Sequence, residues 1–539
     1  MIKWTGDVVN AYSLVLFSFS FCFENILTEK SVFSSKNHKQ INKAQEKLFS
    51  PALDSSTKPI TATALHAPPQ NAGEMTPETR PGNSKPHIVV FPYPAQGHML
   101  PLLDLTHQLC RRGLAVSVVV TTGNLRFLSP LLSAHSSESI SAVSFPFPPH
   151  PSLPSGVENV QDVGNSGNYP IMASLRELRE PIINWFRAHP NPPVAFVSDF
   201  FLGWTNDLCR QIGIPRFAFF SSGALLAAVV KFCFDNIDLV KSTEPIRFLD
   251  LPRTPVFKKE HIPTTVRRYI HSPSPELEIA RNSYLENILS YGCVFNSFDC
   301  LEDEYFEYMK QKVGHDRVFG VGPLCSVGLD PSGRGKSGSD SVSDVDTKAL
   351  LTWLDQCPDG SVVYVSFGSQ KLLTKDQCNA LALGLEKSMT RFVWVVKKDP
   401  VPDGFEGRVA GRGMVVRGWA PQVVLLRHMA VGGFLSHCGW NSVLEAITSE
   451  TMIMAWPWGA MNAKLVVDHM GIAVRACEGT ETVPDPDELG RTIQAAMGND
   501  GKEVRSRAAE IGKRAVKAVE PGGSSWTAFD HLVQELLHL

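Results

Sequence analysis

The chain has 539 residues, of which 51 are Lys or Arg and 54 Asp or Glu, for a formal net charge of −3. That length exceeds one ordinary core and suits two α/β domains with a cleft between them. Near-balanced charge leaves no basic face of the kind nucleic acid or an anionic membrane requires, so small-molecule chemistry is the expected class. The 11 cysteines are scattered singly, with no CxxC, which argues against a zinc ribbon or a disulfide framework and fits a reducing, cytoplasmic setting.

In chain order, the first feature is Val8 to Phe23, an apolar run interrupted by serines. It is short for a membrane span and has no small-x-small cleavage site close behind it. From there to Ser84 the chain is polar and aperiodic. Residues 1–84 are therefore expected to lie outside the fold, either as a disordered extension or as a misread start upstream of Met75. After Pro86 the pattern becomes strand, loop, helix, strand: "HIVVFPY", then "LPLLDLTHQLCRRG" with helical spacing, then "AVSVVVTT". This βαβ unit predicts a parallel sheet covered by helices, with "VAFVSDFF" and "RFAFFSS" as further strands. A Gly, Ser and Asp-rich stretch then reads as a linker, assigned to 326–346, between a first domain at 85–325 and a second at 347–539. In the second, "SVVYVSFGS", "RFVWVVK", "MVVRGWA", "GGFLSH" and "TMIMAWP" are strand candidates. The closing "SSWTAFDHLVQELLHL" reads as an amphipathic helix with a Ser cap that can return to the first domain.

Two constellations could carry chemistry. His98, in "PAQGHMLP", follows the first strand at its carboxyl end, where open α/β sheets bind ligands. Its imidazole titrates near neutrality and suits a general base, although a helix-start histidine satisfied by backbone is the plain alternative. Asp199 ends another strand of the same sheet and could accept the second imidazole N–H, fixing the tautomer; Asp207 reads as a solvated helix residue. In the second half, "GGFLSHCGWNSVLEAI" passes from a strand through His437-Cys438-Gly439 into a helix, with Asn441 and Glu445 on one face. A glycine turn opening a helix builds an anion site; His437 and Ser442 would add donors, and Glu445 could accept from sugar hydroxyls. "VSFGSQ" is a second such turn, offering Ser369. The pairs Asp344/Asp346 and Asp485/Asp487 read as turns, so no metal site is expected. Gly-x-Ser-x-Gly is missing, as is GxGxxG after the first strand.

Taken together, Trp419 to Asn462, "WAPQVVLLRHMAVGGFLSHCGWNSVLEAITSETMIMAWPWGAMN", closely resembles the 44-residue donor-binding box of plant family 1 UDP-sugar glycosyltransferases. The resemblance extends over essentially Pro86 to the end. It implies an α/β GT-B fold, two Rossmann-like doubly wound domains facing a central cleft, with His98 as base and Asp199 as its partner. It implies that Trp419 stacks on uracil, that the Ala420 backbone and Gln422 read base and ribose, and that Glu445 holds the ribose. Ser369, His437, Asn441 and Ser442 would hold the diphosphate, with Trp440, Met461 and Asn462 completing the donor site. The implied acceptor pocket lies near Gly97, Phe200, Phe201, Ser221, Ser222 and Gly223, suited to a flat phenolic ring. No metal or cofactor is implied beyond the UDP-sugar co-substrate, and a monomer is expected. The box departs from the family twice. Met461-Asn462 replaces an acid followed by Gln or His, which points toward UDP-rhamnose over UDP-glucose, since a thioether cannot grip a hydroxyl as a carboxylate does. Glu450-Thr451-Met452 replaces Gly-x-Pro, where altered turn geometry is expected. The rival readings are a nucleotide-sugar hydrolase or epimerase and, from another class, a noncatalytic UDP-sugar or phenolic-binding protein.

Overall fold

The computed structural model describes residues 85–334, 347–368, 372–397 and 400–539. The extension 1–84, with its run Val8–Phe23, lies outside these residues, as do Ser369, the pair Asp344/Asp346 and the second half of the expected linker. Among the described residues no helix is long and apolar enough to cross a membrane.

The first sheet has seven parallel strands: β1 (His87–Phe91), β2 (Ala115–Thr121), β3 (Ile140–Phe145), β4 (Ala195–Asp199), β5 (Arg216–Phe220), β6 (Gly292–Phe295) and β7 (Val318–Gly320), in the order β3-β2-β1-β4-β5-β6-β7. The second has six: β8 (Val362–Ser366), β9 (Arg391–Val396), β10 (Gly413–Arg417), β11 (Val431–Ser436), β12 (Met452–Ala455) and β13 (Ala473–Arg475), in the order β10-β9-β8-β11-β12-β13. Strands β1, β4, β5 and β8 are buried along their whole length, which is why they read as unbroken apolar runs. Each strand order reverses once, between β1 and β4 and between β8 and β11. At such a reversal the connecting helices depart to opposite faces and a crevice opens at the carboxyl ends of the strands.

Six helices matter for the site: α1 (Gln96–Arg111), α2 (Ala224–Asp235), α3 (Asp299–Val313), α4 (Trp440–Thr448), α5 (Lys502–Val519) and α6 (Ser524–Leu537). One apolar cluster runs from Phe220, Ala224 and Leu301 through Trp440 to Val363 and Leu435, so hydrophobic packing joins the two sheets. Helix α6 returns to the first sheet. Phe529, Leu532, Val533 and Leu536 pack in one cluster with Ile88 and Val90, each side chain contributing on the order of 2 kcal/mol by burial. The Asp530 carboxylate also pairs with Arg112 at 3.1 Å. The expected Ser cap is corrected: Gly523 holds the N-cap position and Ser524 and Ser525 lie inside the helix. The expected linker is corrected as well, because its first part does not hang free. Val327 and Leu329 pack against the first core beside Leu324, which precedes the linker and is fully buried, and the Gln108 side chain donates to the Val327 carbonyl.

Candidate active site

At the first switch point, α1 starts one turn after β1 and carries His98, while Asp199 closes β4. The His98 Nδ1 lies 2.9 Å from Asp199 Oδ2 and 3.1 Å from Oδ1. Asp199 is fully buried, and its Oδ1 also accepts the Phe201 N–H at 2.9 Å, which fixes the carboxylate against its own backbone. An ionised partner at Nδ1 favours the tautomer with the proton there and leaves the Nε2 lone pair for a substrate hydroxyl. The Ser221 hydroxyl is 3.2 Å from the same nitrogen. Phe200 stacks on the imidazole (5.3 Å, 16°), Phe201 tilts against it at 4.4 Å and Tyr93 meets it edge-on at 5.3 Å. Tyr284 extends this wall, 5.8 Å from both phenylalanines. Tyr284 had no signal in sequence, being a single aromatic in an unremarkable segment, while Tyr93 belongs to the "HIVVFPY" run with nothing there to mark it as facing the imidazole. Asp207 is an exposed helix residue, held by Arg179 at 2.9 Å and Arg210 at 3.1 Å.

The second switch point holds the loop from β11 to α4. Cys438 adopts φ 59°, a left-handed conformation unusual for a residue with a Cβ. Around it, two glycines make room for His437. A Cβ on Gly439 would come within 2.4 Å of His437 Nε2, and one on Gly368 within 2.7 Å of its Cε1. The ring rests against Trp458 at 4.9 Å. Among the described residues the His437 Nδ1 is enclosed with no hydrogen-bond partner, and burial pushes the imidazole down to about 4. Helix α4 has no side-chain cap at its start, so its first N–H groups and the positive end of its dipole remain for an anion.

Beside this turn the expected nucleotide residues gather. Gln422 Nε2 donates to Glu445 Oε2 at 2.7 Å and to Ser442 Oγ at 3.3 Å, while Tyr364 OH donates to Gln422 Oε1 at 3.4 Å. Ala420 is buried and Trp419 partly buried, just ahead of the short helix Gln422–Leu426. Two expected donor residues face elsewhere. Trp440 is buried and donates its indole N–H to the Asn296 carbonyl of the first domain at 2.7 Å. Asn441 Nδ2 donates to the Gly97 carbonyl at 3.1 Å. Both tie the donor helix to the first switch point, because they sit in the first turn of α4 where it meets the first domain. Met461 is buried within the apolar cluster, and Asn462 Nδ2 donates to the Cys438 carbonyl at 2.9 Å. The anticipated change of turn at Glu450 is corrected: Glu450 adopts φ 57°, the left-handed conformation a glycine takes freely, so the turn keeps a glycine-type shape. Asp485 caps the helix Pro486–Met497 and Asp487 pairs with Lys387 at 2.6 Å.

Two further groups were not legible. Arg334, in the linker, is buried between the domains; it donates to Asp104 of α1 and lies 3.2 Å from Glu445 of α4. In "PSGRGKSG" it reads as one more solvated residue. Glu302, also buried, accepts the N–H groups of Ala224 and Leu225 at 3.0 and 2.8 Å and the Ser297 hydroxyl at 2.6 Å, so a carboxylate closes the start of α2. Gly223 must be bare here, because a Cβ would sit 2.6 Å from Glu302 and 2.8 Å from Trp440. Ser222, next to it, is buried.

Comparison with known proteins agrees with this architecture. Residues 346–486 match the family model for UDP-glucoronosyl and UDP-glucosyl transferase. The chain is 66% identical to UDP-glycosyltransferase 89A2 of Arabidopsis thaliana, over 86% of this chain and 98% of that protein. It is 47% identical to the flavonol 3-O-glucosyltransferase UGT89B1 of the same plant, over 85% and 98%. Among solved structures it resembles Arabidopsis thaliana UGT89C1 complexed with UDP-L-rhamnose, at 36% identity and TM-score 0.69 over 84% of this chain and 99% of that one. UGT89C1 complexed with quercetin aligns with TM-score 0.69 at 35% identity, over 84% and 100%. Two Rossmann-like sheets of the GT-B kind, with a donor box at the second switch point and relatives this close, show that the chain belongs to the plant family 1 UDP-glycosyltransferases.

Proposed function

We propose that the protein transfers a sugar from a UDP-sugar to a hydroxyl of a small phenolic, flavonoid-type acceptor, with inversion and without a metal. The observation that carries this reading is the His98–Asp199 contact at 2.9 Å, tied through the Asn441–Gly97 bond to the uncapped start of α4. In it, His98 Nε2 removes the acceptor proton as the hydroxyl oxygen attacks the anomeric carbon from the face opposite the diphosphate. Asp199 stabilises the imidazolium that forms. UDP leaves as its charge is met by the α4 terminus, His437 and Ser442, while Glu445 and Gln422 take the ribose. The aromatic wall of Phe200, Phe201 and Tyr284 suits a flat acceptor, in keeping with the flavonol named for UGT89B1 and the quercetin bound to UGT89C1.

For the sugar, UDP-rhamnose is the favoured donor, with UDP-glucose the second reading. The carboxylate that would bind several hydroxyls is replaced by Met461, and Asn462 already uses one donor on Cys438, which leaves its carbonyl oxygen for the sugar. A 6-deoxy sugar demands fewer polar partners. UGT89B1, named a glucosyltransferase, supports the second reading. A panel of UDP-sugars with a mixed phenolic library, read by product mass with and without EDTA, tests donor, acceptor and metal together. Efficient glucosyl transfer with no rhamnosyl transfer would overturn the donor assignment, and loss of turnover in EDTA the metal-free one. His98→Ala should abolish transfer and leave UDP binding nearly intact; wild-type turnover in that variant rules out the base. UDP binding without product from any acceptor would favour a noncatalytic binder.

A further inference from the structure

Strand β5 begins with an arginine in the wrong place for a charge. Arg216 is 1% exposed, and its hydrogen bonds go to neutral oxygens: Nε donates to Ser198 Oγ at 2.9 Å, and one terminal nitrogen to Ser290 Oγ at 2.6 Å and Asn287 Oδ1 at 3.0 Å. The other terminal nitrogen donates to the Asp199 carbonyl at 3.4 Å. Burial lowers its pKa only to about 10, so the group is a cation at neutral pH. A buried cation bonded only to neutral groups is unfavourable unless a nearby anion offsets it.

The groups around it identify that anion. The thiols of Cys209 and Cys293 are pushed up by burial to about 12, and the hydroxyls of Tyr93 and Tyr284, which face the dyad, are raised as well, so all four are neutral. Glu286 is partly exposed and already held by Arg210 at 2.6 Å, as Asp207 is held by Arg179 and Arg210. Asp199 remains, fully buried, its carboxylate on His98 and its carbonyl on Arg216. Asn287 completes the arrangement by donating to the Phe200 carbonyl at 2.8 Å. The guanidinium and Asn287 thus hold the two consecutive carbonyls at the turn that presents Asp199 and Phe200 to the imidazole.

We propose that Arg216 is a positioning residue acting through Asp199: its buried charge, bonded to the Asp199 carbonyl, opposes a second positive charge on the His98–Asp199 pair, and its network sets the turn. This rests on the reading of His98 as base. A fixed positive charge disfavours a second one on the imidazole, so removing it must raise the pH at which the dyad takes up a proton.

The test is kcat/KM against pH from 5 to 9 for the full chain. Arg216→Gln should move the acid limb upward by about one pH unit, seen as roughly tenfold lower activity below the limb. Arg216→Lys, which keeps the charge, should leave the limb near its wild-type position. Arg216→Met, which removes the charge and keeps most of the apolar bulk, should move the limb in the same direction as Arg216→Gln; it decides the matter if the glutamine variant does not fold. A merely structural role lowers activity equally at every pH. Unmoved limbs in Arg216→Gln and Arg216→Met, or in Arg216→Met alone where the glutamine variant does not fold, would overturn the proposal whatever happens to kcat. The base assignment is read separately, from whether His98→Ala is inactive in the same assay.

Discussion

Replacing Arg334 by alanine should produce a stability loss that depends on pH. The Arg334 side chain is 8% exposed, and its guanidinium lies between the carboxylates of Asp104 and Glu445, whose side chains are 3% and 7% exposed. Removing one partner of a buried ion pair costs about 3–5 kcal/mol, because the partner left behind is an uncompensated charge. Here two carboxylates are left, so the upper part of that range applies at alkaline pH. The escape is protonation. Burial already raises the Asp104 carboxyl, and Arg334 is the main influence opposing that rise; without it, Asp104 takes up a proton at a higher pH. A native carboxyl with a raised pKa binds a proton that the unfolded chain releases above its ordinary value near 3.9. The deficit is therefore full above the folded pKa and shrinks as pH falls toward the unfolded one. Thermal melts of wild type and Arg334→Ala at pH 8 should differ by roughly 4–6 °C, taking about 1 °C per kcal/mol for a fold of this size, and by clearly less at pH 5. Equal deficits at both pH values, or none, would refute the reasoning.

Glu450→Gly should stabilise the protein by about 0.5–1 kcal/mol, since relief of the left-handed backbone outweighs the extra chain entropy of glycine; a raised Tm checks it. Trp440→Phe removes the indole donor and leaves the buried Asn296 carbonyl unpaired, at about 1–3 kcal/mol, read as a lower urea midpoint. Because His437 is held at about 4, below the usual 6.5, the unfolded chain takes up a proton that the native ligand-free protein refuses. Stability should fall as pH drops from about 6.5 toward 4, and His437→Gln should flatten that fall in urea titrations across the window.

The central strands were legible because burial on both faces leaves little but Val, Ile and Phe, as in "HIVVF" and "VVYVS". The strands without a signal lie toward the sheet edges or are very short. Ile140–Phe145 is mostly solvent-accessible and mixes serine with apolar residues, and Ala473–Arg475 is three residues long. At the site, His98 and Asp199 could be paired from their addresses alone, since the switch-point rule brings the ends of neighbouring strands together. Trp440 and Asn441 could not be told from nucleotide ligands, because the same helix turn faces both the donor cleft and the first domain. Arg334, Glu302 and Arg216 gave no signal for a common reason. Each is a charge whose meaning depends on burial, and that burial involves partners distant in the chain: Asp104 and Glu445 for Arg334, Ala224 and Leu225 for Glu302, Asn287 and Ser290 for Arg216.

The return of α6 to the first sheet means that the polypeptide crosses between the two halves twice, once through the linker and again at Glu520–Gly523, where a Cβ on Gly523 would lie 2.2 Å from the Lys517 carbonyl. The helix thereby acts as a clasp on the sheet that carries the base: a truncation that removes its fourteen residues would strip apolar cover from the core beneath β1 and loosen the strand whose end leads to His98.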